Sequence, residues 1–121
     1  MTSFMVPAFK LIVPSGSVNS NVSLAHLQYD DAIALCIVAP ASLGAAVSSL
    51  IDIVRNPEDA VLTFAGMDEG ESGALVALTG PVAGRARVYF GLAVTPGFRI
   101  VLNADPLANI TFEVFKQIGV S

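Results

Sequence analysis

Apolar residues in this chain come in short runs, rich in Val, Ile, Leu, Phe and Thr and punctuated by Gly, Pro, Asn and Asp. Short runs at even spacing, separated by turn residues, predict an all-β sandwich or barrel. Residues 9–13 form a first strand, closed by Pro14-Ser15-Gly16-Ser17. Residues 20–24 make a polar alternating segment. Residues 32–38 are continuously apolar, as in a central strand covered on both faces. Residues 40–45 read as a loop. Residues 48–54 and 61–65 flank Asn56-Pro57-Glu58-Asp59, where Pro57 suits the second position of a type I turn.

Residues 67–73 (MDEGESG) read as an exposed acidic hairpin tip, followed by a strand at 74–79 that Gly80-Pro81 breaks. Residues 85–94 alternate, with Ala86, Val88, Phe90 and Leu92 on one face and Arg85, Arg87 and Tyr89 on the other. The apolar set is expected to face inward and the arginines outward. Phe98, Ile100 and Leu102 alternate with Arg99, Val101 and Asn103, and Asp105-Pro106 ends that strand. In the last strand, residues 110–118, Phe112 and Val114 oppose Thr111 and Glu113. The Val114-Phe115 pair breaks the alternation and predicts a bulge there. One segment has two readings: Leu43, Ala46, Val47, Leu50, Ile51 and Val54 fit helical spacing. The β-branched content and the following turn favour a strand over residues 45–56. The sum is about eight short antiparallel strands in one domain.

Composition adds a role for surfaces. The chain has 121 residues, 54% hydrophobic and only 13% charged, with mean hydropathy +0.70. A domain this small keeps much of its surface exposed, so apolar content in excess of one core points to burial against other subunits. Net charge is −4 with six Lys and Arg in all, against the clustered cations that phosphate backbones require. No direct nucleic-acid partner is expected. The longest greasy stretch, residues 32–41, is half the ~20 residues of a membrane span, and Pro40 interrupts it. Residues 1–13 lack a basic n-region and carry Pro7 and Lys10, so they read as an intracellular start rather than a signal peptide.

Candidate chemistry is thin. His26 is the single histidine, with Asp30 and Asp31 nearby. Neither a metal set nor a Ser23–His26–Asp30 triad is expected, since no nucleophile elbow accompanies them. Cys36 sits in an apolar run that disfavours the thiolate and reads as a buried small hydrophobe. Asp68, Glu69 and Glu71 lack the calcium-loop pattern. Residues 80–84 lack the ending of a phosphate loop. No enzyme activity, cofactor or metal is expected. Sugar stacking would rest on Tyr29 or Tyr89, the only tyrosines, in a chain without Trp.

The stretch from Asn19-Ser20-Asn21 through Ala32-Ile33-Ala34-Leu35-Cys36-Ile37-Val38-Ala39-Pro40-Ala41, on to the hairpin at Asn56 to Asp59, resembles small virion proteins of tailed bacteriophages. So does a late strand at Phe98 to Asn103 before a short final strand. The resemblance covers about two-thirds of the chain. Ala60 to Phe64 and the MDEGESG loop depart from it, and it carries over no functional residue. It implies a jelly-roll-like β-sandwich that decorates a capsid: a cement protein, assembled in the host cytoplasm, that oligomerises as a homodimer or homotrimer. It would bind the major capsid protein or another virion protein at capsomer junctions. A non-catalytic binding module on a tail or fibre, or one recognising a carbohydrate, is the alternative. Residues 1–14 are expected to be an N-terminal arm plus first strand that orders on a partner, with residues 15–121 as the sandwich. Candidate partner contacts are Phe4, Met5, Val6 and Phe9 on the arm. Arg85, Arg87 and Arg99 join them, clustered outward on adjacent strands, where charge sets partner choice and register.

Overall fold

Two antiparallel four-stranded sheets face each other across a single apolar core. The computed structural model describes residues 2–56, 59–64, 67–69 and 75–120. The first sheet has the order β1-β10-β3-β8, made from β1 (Thr2–Val13), β10 (Ile110–Val120), β3 (Ala34–Val38) and β8 (Ala86–Tyr89). The second has the order β2-β9-β4-β5, from β2 (Ser23–Leu24), β9 (Gly97–Leu102), β4 (Ser49–Asn56) and β5 (Asp59–Phe64). A separate two-stranded ribbon joins β6 (Met67–Glu69) to β7 (Leu75–Ala77). Among the described residues, one four-residue helix, α1 (Ala25–Gln28), and a 3-10 turn at Gly91–Val94 complete the elements.

Set the β6–β7 ribbon aside and number the remaining strands one to eight. The sheets then read 1-8-3-6 and 2-7-4-5. The pairs 1:8, 2:7, 3:6 and 4:5 nest within one another, which is how an antiparallel ribbon rolls into a jelly roll. The fold is therefore an all-β jelly-roll sandwich of eight strands, and the ribbon, which takes up the strand expected at residues 74–79 as β7, is inserted between its fifth and sixth.

Alternation builds the core. Leu11 and Val13 of β1, Phe112 and Val114 of β10, and Leu35 and Ile37 of β3 meet Ile51 of β4 and Phe98, Ile100 and Leu102 of β9, all buried. Burying each such side chain contributes roughly 1.5–3 kcal/mol. The segment with two readings is strand: Ser49–Asn56 pairs with both β9 and β5. The turn placed at Pro57 and Glu58 lies outside the described residues, as do residues 70–73 of the acidic tip and Ala74, the first residue of the strand expected after it. Residues 67–69 of that segment are strand rather than loop, paired antiparallel with β7.

Three expectations change. β8 has the opposite phase: Tyr89 is buried, while Val88 is exposed and Phe90 is 70% exposed. Both faces of residues 85–94 carry apolar side chains, so alternation marks a strand without saying which face is inward. The strand also ends at Tyr89, because the chain turns into Gly91–Val94. In the inner strand β3, Leu35 and Ile37 are buried, but Cys36 and Val38 are only half-buried, so one face is sealed and the other is not. The bulge lies opposite Val114 and Phe115 but in the neighbouring strand. Phe9 pairs with Val114 and Pro7 with Phe115, leaving Ala8 as the extra residue.

Candidate interaction surface

The N-terminal residues form part of the sheet. β1 runs twelve residues against β10, from Thr2 opposite Val120 to Val13 opposite Ile110. β3 reaches only as far as Gln117 along β10. Thr2–Phe4 and Ile118–Val120 therefore continue beyond β3 as a two-stranded extension. The bulge at Ala8 resets the alternation and turns Phe9 inward, where its ring centroid lies 5.9 Å from those of Tyr29 and Phe98. Phe9 thus belongs to the fringe of the core. Phe4 (47% exposed) and Met5 (43%) are open to solvent, and Val6 is half-buried.

The arginines do not share a pair of adjacent strands. Arg85 precedes β8 and Arg87 lies on it, in the first sheet, whereas Arg99 lies on β9 in the second. Arg99 is half-buried and bonds Asp52, its register partner on β4, through Nε at 3.3 Å and Nη2 at 3.2 Å. Arg87 is exposed; it donates to Thr79 Oγ1 at 2.8 Å and its guanidinium lies 5.5 Å from the Tyr89 ring centroid. Topology separates these charges because the jelly roll sends consecutive strands β8 and β9 to opposite sheets.

Across the outer face of the first sheet, the register aligns Pro7, Phe115, Cys36 and Val88, one from each strand. Neighbouring rows bring Val38 and Ala86 beside them, with Lys10 opposite Glu113. This apolar row on a solvent-facing sheet was hidden in the sequence, since it depends on register between distant strands. Burial holds the Cys36 thiol above its ordinary pKa, which keeps it protonated.

One end of the roll is stitched together by side chains that hold neighbouring loops. Asn103 Oδ1 accepts from Val47 N (2.9 Å) and Ser48 N (3.1 Å), Asn109 Oδ1 from Ser15 N (3.0 Å), and Asp105 Oδ1 from Gly16 N (3.0 Å) and Leu107 N (2.9 Å). Gly44 has φ +65°, and an added Cβ would collide with the Pro106 carbonyl oxygen. Leu107 is held at φ +61° with its side chain 73% exposed, an uncommon backbone for a branched residue.

The remaining candidates are not brought together. Ser23 is buried and its Oγ donates to Gln28, not to His26, which is exposed. Asp31 bonds Lys116 Nζ at 2.9 and 3.1 Å, and the ammonium holds its carboxyl below the usual range. Among the described residues, no three His, Cys, Asp or Glu side chains gather as metal ligands, and no helix is long and apolar enough to cross a membrane. Tyr29 is fully buried and Tyr89 nearly so, their hydroxyls on Thr95 and on Thr79 O respectively. Neither offers the exposed ring that sugar stacking needs.

No family model matches the chain, and no curated protein matches it. The fold is shared with a prophage protein. The crystal structure of the SPBc2 prophage-derived protein YomS superposes with a TM-score of 0.62, over 97% of this chain and 96% of that one. Sequence identity is 8%, so the likeness is one of fold, extending over essentially the whole of both chains.

Proposed function

We propose that this protein is a structural subunit of a tailed-phage particle that self-associates and binds the capsid surface, cementing capsomer junctions. The observation that carries this reading is the fold, shared end to end with a prophage-derived protein. A fold alone does not name a function. Here it joins the independent resemblance of residues 19–59 and 98–103 to small tailed-phage virion proteins. The outer-face row of Pro7, Phe115, Cys36 and Val88, exposed at its two ends and half-buried between them, gives a low-charge sheet face for a large partner to cover. The stitched loops support the same role, because a fixed end loses little conformational entropy on docking. With Tyr29 and Tyr89 buried, the carbohydrate-binding alternative loses its stacking groups.

Quantitative mass spectrometry of purified particles of the phage that encodes the chain tests this. The reading expects the protein in many copies per particle, in fixed ratio to the major capsid protein. Its absence from particles, with abundant protein in the lysate, contradicts it.

A further inference from the structure

β1 occupies an edge of the first sheet, and its outer side is closed along only part of its length. Asn21 covers one stretch: its Oδ1 accepts the Ile12 N–H at 2.8 Å and its Nδ2 donates to the Lys10 carbonyl at 3.4 Å. Lys10 and Ile12 therefore point away from β10. In an antiparallel pair, outward and inward residues alternate, and the bulge at Ala8 shifts that alternation by one. Beyond the bulge the outward residues are Pro7, Met5 and Ser3. Pro7 has no N–H to offer, as suits an edge position. Ser3 and Met5 present both N–H and C=O, and no described hydrogen bond from outside the β1–β10 pair reaches these backbone groups.

Open strand edges are normally blunted by charge, proline, bulges or cover. Here Asn21, Ala8 and Pro7 supply three such devices, and among the described residues none covers the window from Thr2 to Val6. That window carries no ionisable side chain, and neither do its register partners Gln117 to Val120. Lys116, opposite Val6, is held by Asp31. Two copies of the window can therefore meet without like-charge repulsion. The other edge of this sheet, β8, is four residues long and carries Arg87 just after Arg85, which would face themselves across a two-fold axis.

We infer that two copies of this chain pair through this window, β1 against β1 and antiparallel, about a two-fold axis at Phe4. Ser3 of each copy then exchanges main-chain hydrogen bonds with Met5 of the other, and Phe4 faces its twin. Phe4 already lies opposite Ile118 within each copy, so the junction forms a four-side-chain apolar row, Ile118–Phe4–Phe4–Ile118, of the kind that stabilises sheets. Pro7 ends the ladder on either side. The two first sheets become one eight-stranded sheet, and their apolar outer rows become a single surface. This inference deepens the self-association in the reading above and rests on it.

The test uses the full chain. Light scattering after size exclusion should give twice the 12.5 kDa chain mass. In a Cys36→Ala background, Phe4→Cys should form a disulfide-linked dimer at least tenfold faster than Ser3→Cys. Directly opposed residues of a non-hydrogen-bonded pair have Cα atoms about 4.5 Å apart, within disulfide reach, whereas the two Ser3 residues would stand roughly 8–9 Å apart. Met5→Pro, which removes an outward N–H, should give a folded monomer. A monomeric or trimeric wild-type mass, or equal linking rates for the two cysteine variants, overturns the inference. A monomer that still binds particles overturns the pairing alone, and a dimer found in no particle overturns the virion reading alone.

Discussion

At the residue scale, the tyrosines report most directly on packing. Burial pushes both hydroxyls up to about 12 from the ordinary 10.0. The folded state therefore holds these protons more tightly than the unfolded chain does. Their contribution to stability is complete below pH 10 and is lost as pH rises from 10 towards 12. Absorbance at 295 nm, which follows only Tyr29 and Tyr89 in this chain, should rise together with loss of the β circular-dichroism signal. Smooth ionisation near pH 10 with the fold intact would show the rings exposed. Composition made the tyrosines candidates for a sugar platform. Tyr29 sits at the core because it follows α1, where its ring packs edge-on against Phe98 at 5.6 Å.

At the element scale, strand positions were legible wherever one face was wholly apolar. Phe98, Ile100 and Leu102 in β9, and Phe112 and Val114 in β10, lie inward as their alternation predicts. In β8, where Tyr89 and Arg87 oppose Val88 and Ala86, alternation alone chose the wrong face. The bulge expected at Val114-Phe115 is not in β10, which runs in unbroken register against β3 with Val114 inward and Phe115 on the outer face; the extra residue is Ala8 of β1. β1 is longer than its sequence suggests because Pro7 is compatible with an edge strand and does not end it. The strained loop between β9 and β10 yields a prediction here. Leu107→Gly relieves a positive φ at little packing cost and should stabilise the fold by about 0.5–1 kcal/mol in urea titrations. A destabilised Leu107→Gly would mean that the Leu107 side chain makes contacts the exposure figure does not show. If the stabilised variant binds particles more weakly, the strain serves docking.

At the scale of the whole molecule, the chain's excess of apolar residues divides between a jelly-roll core and an unsatisfied exterior. That exterior includes the outer row of the first sheet, the open window of β1 and the tip at Leu107, beside single exposed side chains such as Leu27, Val47, Phe90 and Val94. Composition showed that such surfaces should exist but not where. The jelly-roll order places them, by bringing β1 and β10, the first and last strands of the chain, side by side at one edge. It also separates Arg87 from Arg99, which is why the arginine cluster expected from strands adjacent in sequence does not form. The most direct measurement is co-sedimentation of the purified protein with phage particles that lack it, with thermal release of the genome followed in parallel. The account predicts saturable binding, at a fixed number of copies per capsomer, and a higher release temperature for occupied particles. Protein left in the supernatant at every concentration, with an unchanged release temperature, would contradict it.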